Sequence, residues 1–201
     1  PHTRTARSIT LGSLATGHIV ASLAGAAGAN ASPGGAPGPR YAPGSEGAGD
    51  PYFPLAGNGG IDVQHYDLDL DYTPPGPAPA PLEGQLAGVA TIDLVATADI
   101  DRFNLDLRGL SASSVVVDGK SMAFTQGGGE LVVTPRPKLK TGQSATVVVT
   151  YGGTTGRPTD IEDALYGWVT TRDGAMVVSE PDGSSTWFPV SDHPTDKATY
   201  S

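Results

Sequence analysis

From Ile61 onward, apolar and polar side chains alternate along the chain with a period of two residues. In residues 66–72, Tyr and Leu alternate with Asp. Successive side chains of a strand point to opposite faces, so this pattern predicts half-buried β-strands. The alternation recurs in residues 86–97 and 102–110, and a β-branched run at 145–151 predicts a buried strand. The side chains expected to share the core faces of the three alternating segments are Tyr66, Leu68, Leu70 and Tyr72; Ala90, Ile92, Leu94 and Ala96; and Phe103, Leu105 and Leu107.

Turn signals separate these segments. Asp118-Gly119 and Asp173-Gly174 are strong hairpin signals, and Gly127-Gly128-Gly129 joins two further short strands. The Pro-rich residues 73–81 are predicted to form a loop, because proline cannot donate to a strand ladder. Roughly seven or eight short strands and no amphipathic helix predict an all-β, antiparallel fold, either a β-sandwich or a large curved sheet.

The N-terminal residues have the three parts of a secretory signal. Arg4 and Arg7 precede a mostly apolar stretch, residues 9–27, which ends in Ala27-Gly28-Ala29 and Ala29-Asn30-Ala31. Residues 1–31 are therefore predicted to be a signal peptide of a secreted protein, with no membrane attachment after cleavage. An uncleaved membrane anchor is the alternative, although His18 interrupts a stretch that is only weakly apolar for an anchor.

Composition divides the rest of the chain. Residues 32–50 are rich in Gly, Pro and Ala, which predicts a disordered linker, and residues 51–201 form the predicted β-domain. The net charge is −9 and no run of Lys or Arg occurs, so a nucleic-acid partner is not expected. The absence of cysteine excludes disulfides and thiolate chemistry.

Several apparent motifs have structural explanations. The aspartates of Asp67-Leu68-Asp69-Leu70-Asp71 lack the Gly and Glu of a calcium loop and are expected on the wet face of a strand. His65 and His193 are too far apart in sequence to show metal-ligand spacing. Ser191-Asp192-His193 is not a predicted triad, because consecutive side chains diverge. Glu180 differs, since it ends a strand beside the turn Pro181-Asp182-Gly183, where sites often occur.

Residues 180–200 resemble a motif of the M1 family of zinc aminopeptidases, in which an acid or amide precedes a short loop, then F-P-x-x-D-x-P, Lys-Ala and an aromatic. In this chain the motif includes Phe188-Pro189-Val190-Ser191-Asp192-His193-Pro194. Residues 52–68 are similar to the start of the same family's N-terminal β-domain, most of all to secreted actinobacterial members. The resemblance covers roughly residues 50–201 and implies an incomplete, saddle-like antiparallel domain beside a thermolysin-like catalytic domain.

The resemblance implies zinc in the full-length enzyme, bound by an H-E-x-x-H helix and a distant Glu. Neither H-E-x-x-H nor the family's G-x-M-E-N occurs in these residues, so both are expected downstream of Ser201. Glu180 occupies the position of the family's amine-binding residue and is expected to bind the free α-amine of a peptide substrate. The fragment itself is expected to be inactive, with neither catalytic residues nor a metal site.

Other positions of the motif are assigned structural roles. Asp192 and Pro194 are expected to shape the turn, and Trp187 and Phe188 to anchor the loop. Many family members have Arg and Cys where this chain has Ser185 and Val190, which concerns local packing. Two alternatives stay open, an exported non-catalytic β-sandwich binding module and a catalytically dead family member.

Overall fold

The computed structural model describes Gly38, residues 40–159 and residues 163–201. Within these residues the protein consists of β-strands and one short 3-10 helix, Gly183–Thr186, without an α-helix. The predicted all-β fold class is confirmed. None of the described segments forms a helix with the length and apolar character needed to cross a bilayer. The predicted signal peptide, residues 1–31, lies outside the described residues and stays a prediction.

Twelve strands occur in the described residues: β1 (Ala42–Pro43), β2 (Ile61–Thr73), β3 (Gly84–Ala96), β4 (Ile100–Asp106), β5 (Ser111–Val117), β6 (Lys120–Ser121), β7 (Ala123–Gly127), β8 (Glu130–Thr134), β9 (Ser144–Thr155), β10 (Gly167–Thr170), β11 (Ala175–Val178) and β12 (Thr199–Tyr200). They form a six-stranded sheet in the order β12-β2-β3-β9-β5-β6, a four-stranded sheet in the order β1-β4-β8-β7, and the two-stranded β10-β11 pair.

The six-stranded sheet contains the three longest strands, β2, β3 and β9, which pair antiparallel. The period-two prediction is confirmed here, since Ala90, Ile92, Leu94 and Ala96 of β3 are all buried. In β2, a register shift between Val63 and His65 changes the parity of the strand. Both Val63 and Tyr66 consequently point into the core.

One hydrophobic core joins the two larger sheets. Ile92 and Val147 of the six-stranded sheet belong to the same buried cluster as Phe103 and Leu131 of the four-stranded sheet. All four side chains have 0% of their surface exposed. Two sheets with alternating inward side chains around one core form a sandwich-like arrangement.

The turn predictions are confirmed. Asp118 and Gly119 both have positive φ, 48° and 75°, as a two-residue hairpin between β5 and β6 requires. The glycine-rich turn connects β7 to β8, and the Asp173-Gly174 turn connects β10 to β11. Residues 74–83 link β2 to β3 without strand structure.

Two short pairs differ from the antiparallel prediction. β1 pairs with β4, and β12 pairs with β2, both in parallel. Each of β1 and β12 has two residues and lies at the edge of a sheet formed by residues far away in the chain. The alternation within a strand carries no information about such distant partners, so the sheets are mixed where the sequence predicts antiparallel ones.

The folded domain also includes residues that the sequence assigns to the linker. The amide of Ala42 donates to Asp99 O at 3.0 Å, and the amide of Gly44 donates to Arg102 O at 2.9 Å. A Cβ atom on Gly44 would lie 2.6 Å from Gly59 O, so this close backbone approach requires glycine. Backbone hydrogen bonds need no apolar side chain, which explains why a Gly/Pro/Ala composition did not reveal this segment. The domain in the structure therefore begins before residue 51.

Candidate functional site

Residues 179–192, called the motif loop below, follow β11 and contain the 3-10 helix. Phe188 anchors this loop, because its ring is 1% exposed and belongs to the hydrophobic core. It contacts Tyr66 edge-on, with 5.3 Å between ring centroids, and Trp187 at 4.4 Å. Trp187 is partly buried against the core and lies 6.0 Å from Trp168. These contacts agree with the structural role that the sequence assigns to both residues.

The front of the motif loop, residues 182–185, is held by a polar cluster. This cluster, called the Arg108 cluster below, consists of Arg108, Tyr166, Asp182 and Ser185. Arg108 Nη2 lies 3.0 Å from Asp182 Oδ2 and 2.9 Å from Tyr166 Oη, and it also donates to Asp182 O. Arg108 Nε donates to Ser185 Oγ at 2.7 Å. Tyr166 Oη donates to Asp182 Oδ1. The Arg108 side chain is 42% exposed, so the ion pair alone contributes about 0–1 kcal/mol, and its main effect is geometric.

Glu180 lies at the start of this loop, two residues after the end of β11. Its side chain is exposed. Among the residues that the structure describes, no hydrogen bond or ion pair engages its carboxylate. Of the three carboxylates in the loop, Glu180, Asp182 and Asp192, the first two have different environments. Asp182 is fully engaged by the Arg108 cluster, whereas Glu180 is available to a cation from outside the domain.

A second set of carboxylates joins Asp192, at the end of the motif loop, to Asp106 of β4, for which the sequence carried no signal. Asp106 Oδ2 accepts hydrogen bonds from Asn58 Nδ2 at 2.8 Å and from the Asp192 amide at 2.9 Å. Asp192 Oδ2 in turn accepts a hydrogen bond from the Ser185 amide at 2.8 Å. A continuous series of hydrogen bonds thus connects β4 to the motif loop, and Asp192 shapes the turn as expected.

Burial controls the protonation of these groups. It raises the pKa of Asp192 to about 6 and raises the pKa of Asp106. Burial, followed by the charge of Asp106, raises the pKa of Glu130 to about 7. Asp106 and Glu130 are paired in register on β4 and β8, so two carboxyl groups share one poorly solvated region.

A cavity of about 350 Å³ opens beside these carboxyl groups. Its lining combines acidic residues with the exposed apolar side chains of the N-terminal segment; among them are Asp106, Glu130, Asp192, Tyr52, Phe53 and Leu55. Glu180 is not among the lining residues. Asp106, Glu130 and Asp192, called the acidic cluster below, thus line this cavity, whereas Glu180 lies outside it.

The remaining sequence candidates have structural contacts. Ser191 Oγ accepts a hydrogen bond from the Asn58 amide, Asp192 bonds Ser185, and His193 Nε2 lies 3.2 Å from Asp50 Oδ2. The three consecutive side chains therefore contact three different partners and do not converge on one another. The aspartates of β2 are exposed, as predicted.

The described residues contain no group of three or more His, Cys, Asp or Glu side chains arranged to hold a metal ion. The zinc that the family resemblance implies therefore does not fit any site in this part of the chain. Its ligands would have to come from other residues.

Solved structures similar to this chain include M1 zinc metallopeptidases. An M1 zinc metallopeptidase from Deinococcus radiodurans superposes with a TM-score of 0.68 at 32% sequence identity, over 77% of this chain and 34% of that protein. A two-domain M1 zinc metallopeptidase mutant bound to L-arginine matches with a TM-score of 0.67 at the same identity and coverage. The resemblance to the M1 zinc metallopeptidases is confirmed. The described β-domain is thus similar to part of these M1 zinc metallopeptidases, and the chain spans about a third of their length.

Aminopeptidase A from Legionella pneumophila matches with a TM-score of 0.54 at 20% identity, over 70% of this chain and 15% of that protein, and shows the shared fold alone. No family model matches the sequence, and no curated protein matches it. The M1-type assignment therefore rests on the agreement of structure and sequence with the solved relatives.

Proposed function

We propose that this chain is the N-terminal β-domain of a secreted zinc aminopeptidase, in which it shapes the substrate cleft and supplies Glu180 to bind the free α-amine of a peptide. The observation that carries the proposal is the contrast within the motif loop. Asp182 is held by Arg108 and Tyr166, whereas the nearby Glu180 is exposed and has no hydrogen bond or ion pair within the described part of the chain. A free carboxylate on a well-anchored loop is suited to receive a cation.

The chemistry favours N-terminal residues. The α-amino group of a peptide has a pKa near 7.7–8.0, so much of it is an ammonium ion at neutral pH. A charge-assisted hydrogen bond to a carboxylate contributes about 1.5–3 kcal/mol. A blocked N-terminus or an internal peptide bond offers no such cation, so Glu180 would select the first residue of a chain.

Hydrolysis itself belongs to the whole protein in this proposal. A zinc ion bound by a catalytic domain would supply an activated water and polarise the scissile carbonyl. The catalytic domain would also cover β11, where Met176, Val177 and Val178 are 38–46% exposed. Support comes from the solved M1 relatives, in which this chain matches only 34% of the length.

The first test is the coding sequence that follows Ser201. An intact G-x-M-E-N and H-E-x-x-H supports the proposal. A degraded version indicates a catalytically dead family member, and a stop codon or an unrelated domain contradicts the enzyme assignment.

The second test is the variant Glu180→Ala in the full-length protein. Loss of the amine contact should lower kcat/KM for aminoacyl-4-nitroanilides about 10- to 100-fold, which corresponds to the free energy of one charge-assisted hydrogen bond. Glu180→Gln keeps a neutral hydrogen-bond acceptor, so its kcat/KM should lie between those of the wild type and Glu180→Ala. Glu83→Ala is the matched control, because Glu83 is an exposed carboxylate in the loop between β2 and β3, outside the motif loop. If kcat/KM of Glu180→Ala equals that of the control, Glu180 does not bind the amine.

One observation favours a second candidate, an exported binding module. Tyr52 and Phe53 are 87% and 50% exposed at the cavity beside the acidic cluster, and exposed aromatics are common in glycan-binding sites. Binding of soluble oligosaccharides by the wild-type chain, lost in Tyr52→Ala, would support this candidate. The M1 likeness at 32% identity favours the enzyme.

A further inference from the structure

Arg108 is the side chain through which the β-sandwich holds the front of the motif loop. It follows β4, whose last residue is Asp106, and reaches two separate segments. One is Tyr166, immediately before β10, and the other is the motif loop at Asp182 and Ser185. The backbone amide of Arg108 also donates to Ser185 O at 2.7 Å. Main chain and side chain of one residue therefore fix the same stretch of the loop.

The contacts of Arg108 use the fork geometry of a guanidinium group. Nε donates to Ser185 Oγ while Nη2 donates to Asp182 and to the Tyr166 hydroxyl. The Tyr166 ring also lies beneath the guanidinium, with 5.5 Å between Arg108 Cζ and the ring centroid. A lysine presents one point charge on a flexible stem and cannot occupy these directions together.

Glu180 lies two residues before Asp182, at the start of the same loop. β11, on its other side, is exposed along all four of its residues. The described contacts that fix the loop near Glu180 are those of Asp182, the pairing of Val178 with Gly167, and two hydrogen bonds to Ser179. The Gly183 amide donates to Ser179 O at 2.8 Å, and Trp187 Nε1 donates to Ser179 Oγ at 3.4 Å. A shift of Asp182 would carry the Glu180 carboxylate with it.

We propose that Arg108 is a positioning residue that sets the location of the Glu180 carboxylate and thereby tunes the recognition of a substrate's amine without touching the substrate. This inference rests on the proposed function for its kinetic consequence. Its structural part, that Arg108 orders the motif loop, stands independently. A displacement of about 1 Å at a binding group can lower the rate about 100-fold, so a residue of this kind can matter as much as a contact residue.

The structural part is tested by hydrogen exchange on the chain itself. Arg108→Ala should speed exchange of the Gly183 and Ser185 amides at least about tenfold, while the amides of β9 keep their wild-type rates, because local opening does not require global unfolding. Arg102→Ala is the matched control, since Arg102 is an exposed arginine of β4 and, among the described contacts, no hydrogen bond or ion pair joins its side chain to the motif loop. Arg108→Lys should behave like Arg108→Ala.

If Arg108→Ala unfolds the whole domain, Tyr166→Phe tests instead whether the Arg108 cluster orders the motif loop. It removes the hydroxyl that bonds both Arg108 and Asp182 and keeps the ring, so it should produce a smaller increase at the same two amides. Unchanged exchange of Gly183 and Ser185 in these variants would overturn the proposal.

The kinetic part is tested by a double-mutant cycle in the full-length enzyme. Arg108→Ala should lower kcat/KM for aminoacyl-4-nitroanilides about 10- to 100-fold, with the same division between kcat and KM as Glu180→Ala. In the Glu180→Ala background, Arg108→Ala should add little, because the group that it positions is already gone. Multiplicative losses in the double variant would overturn positioning through Glu180. A Glu180→Ala enzyme with wild-type kcat/KM would instead overturn the proposed amine site, and the exchange result would still decide whether Arg108 orders the loop.

Discussion

The central strands of the six-stranded sheet and the motif loop are stabilised in different ways. β2, β3 and β9 bury alternating aliphatic side chains in one continuous core. The motif loop buries the ring of Phe188, and its front is held by named polar atoms of Arg108, Tyr166 and Asp182. The sheet is stabilised by many non-directional apolar contacts, whereas each polar contact of the loop requires a particular donor and a particular acceptor.

This difference determines how each region responds to change. Apolar contacts are non-directional, so the loss of one core side chain weakens the entire sandwich. Hydrogen bonds of the loop are directional, so their loss alters the position of a few residues and leaves the sandwich folded. A region that presents a binding group gains from this arrangement, because its geometry can be adjusted without redesigning the core.

The largest expected effect is in the core. Phe103 of β4 has 0% of its surface exposed, so Phe103→Ala should lower the free energy of unfolding by about 3–5 kcal/mol through lost burial and a cavity. Phe53→Ala removes the same atoms from a side chain that is 50% exposed and should change stability by about 0.5 kcal/mol or less. Urea denaturation of both variants measures the contrast. Equal losses would show that the core does not dominate stability.

An intermediate effect is expected at Glu130 and Asp106 of the four-stranded sheet, where Asp106 pairs with Val190 of the motif loop. Because the pKa of Glu130 rises from an ordinary 4.5 to about 7, the folded domain holds this proton more tightly than the unfolded chain does. Its contribution to stability should therefore fall as pH increases from about 4.5 to about 7, and the loss should persist above pH 7. Asp192, with a pKa of about 6, acts in the same direction. The midpoint of urea denaturation should accordingly be higher at pH 5 than at pH 8.

Glu130→Gln should reduce this pH dependence and raise the midpoint at pH 8, because the amide cannot ionise. Glu83→Gln, at an exposed position, is the control and should keep the wild-type pH dependence. The same difference between pH 5 and pH 8 in Glu130→Gln and wild type would contradict the assignment to Glu130.

The smallest effect is expected on the wet face of β2. Asp69 is exposed there, so Asp69→Asn should change the free energy of unfolding by less than about 0.5 kcal/mol. Millimolar Ca²⁺ should leave the thermal midpoint of the wild-type protein unchanged. A clear rise in the midpoint with Ca²⁺, abolished in Asp69→Asn, would show that the aspartates bind metal after all.

The alternation of apolar and polar residues correctly predicted the strands that bury one face in the core. The alternation identifies β3 and the inward side chains Ile92 and Leu94, because burial on one face leaves a period of two. The same alternation separated Asn104 and Asp106 from the core residues of β4, yet both are buried. The backbone of Val190 pairs with Asp106 at the end of β4, and the Asp106 carboxylate accepts hydrogen bonds from Asn58 and Asp192. No signal near β4 reveals a partner so distant in sequence.

The candidate site divides in the same way. Glu180 was found through its resemblance to a family motif, and its role as an amine ligand stays a prediction. Arg108 and Tyr166 had no sequence signal, since their importance comes from convergence on Asp182 in three dimensions. The buried pair of Asp106 and Glu130 could have been suspected only with the register of β4 and β8 in hand.

The parallel pairing of β1 with β4 has a practical consequence for solubility. An unpaired strand edge is a template for association with other chains, and natural proteins cover such edges. β1 and the Gly44 amide occupy this edge of the four-stranded sheet. A shortened protein that begins at residue 51 would lack the Ala42 and Gly44 amides that donate to Asp99 O and Arg102 O. It would therefore present an open strand edge to other protein molecules. Preparations that begin before Ala42 should consequently stay monodisperse at concentrations where the shorter form self-associates.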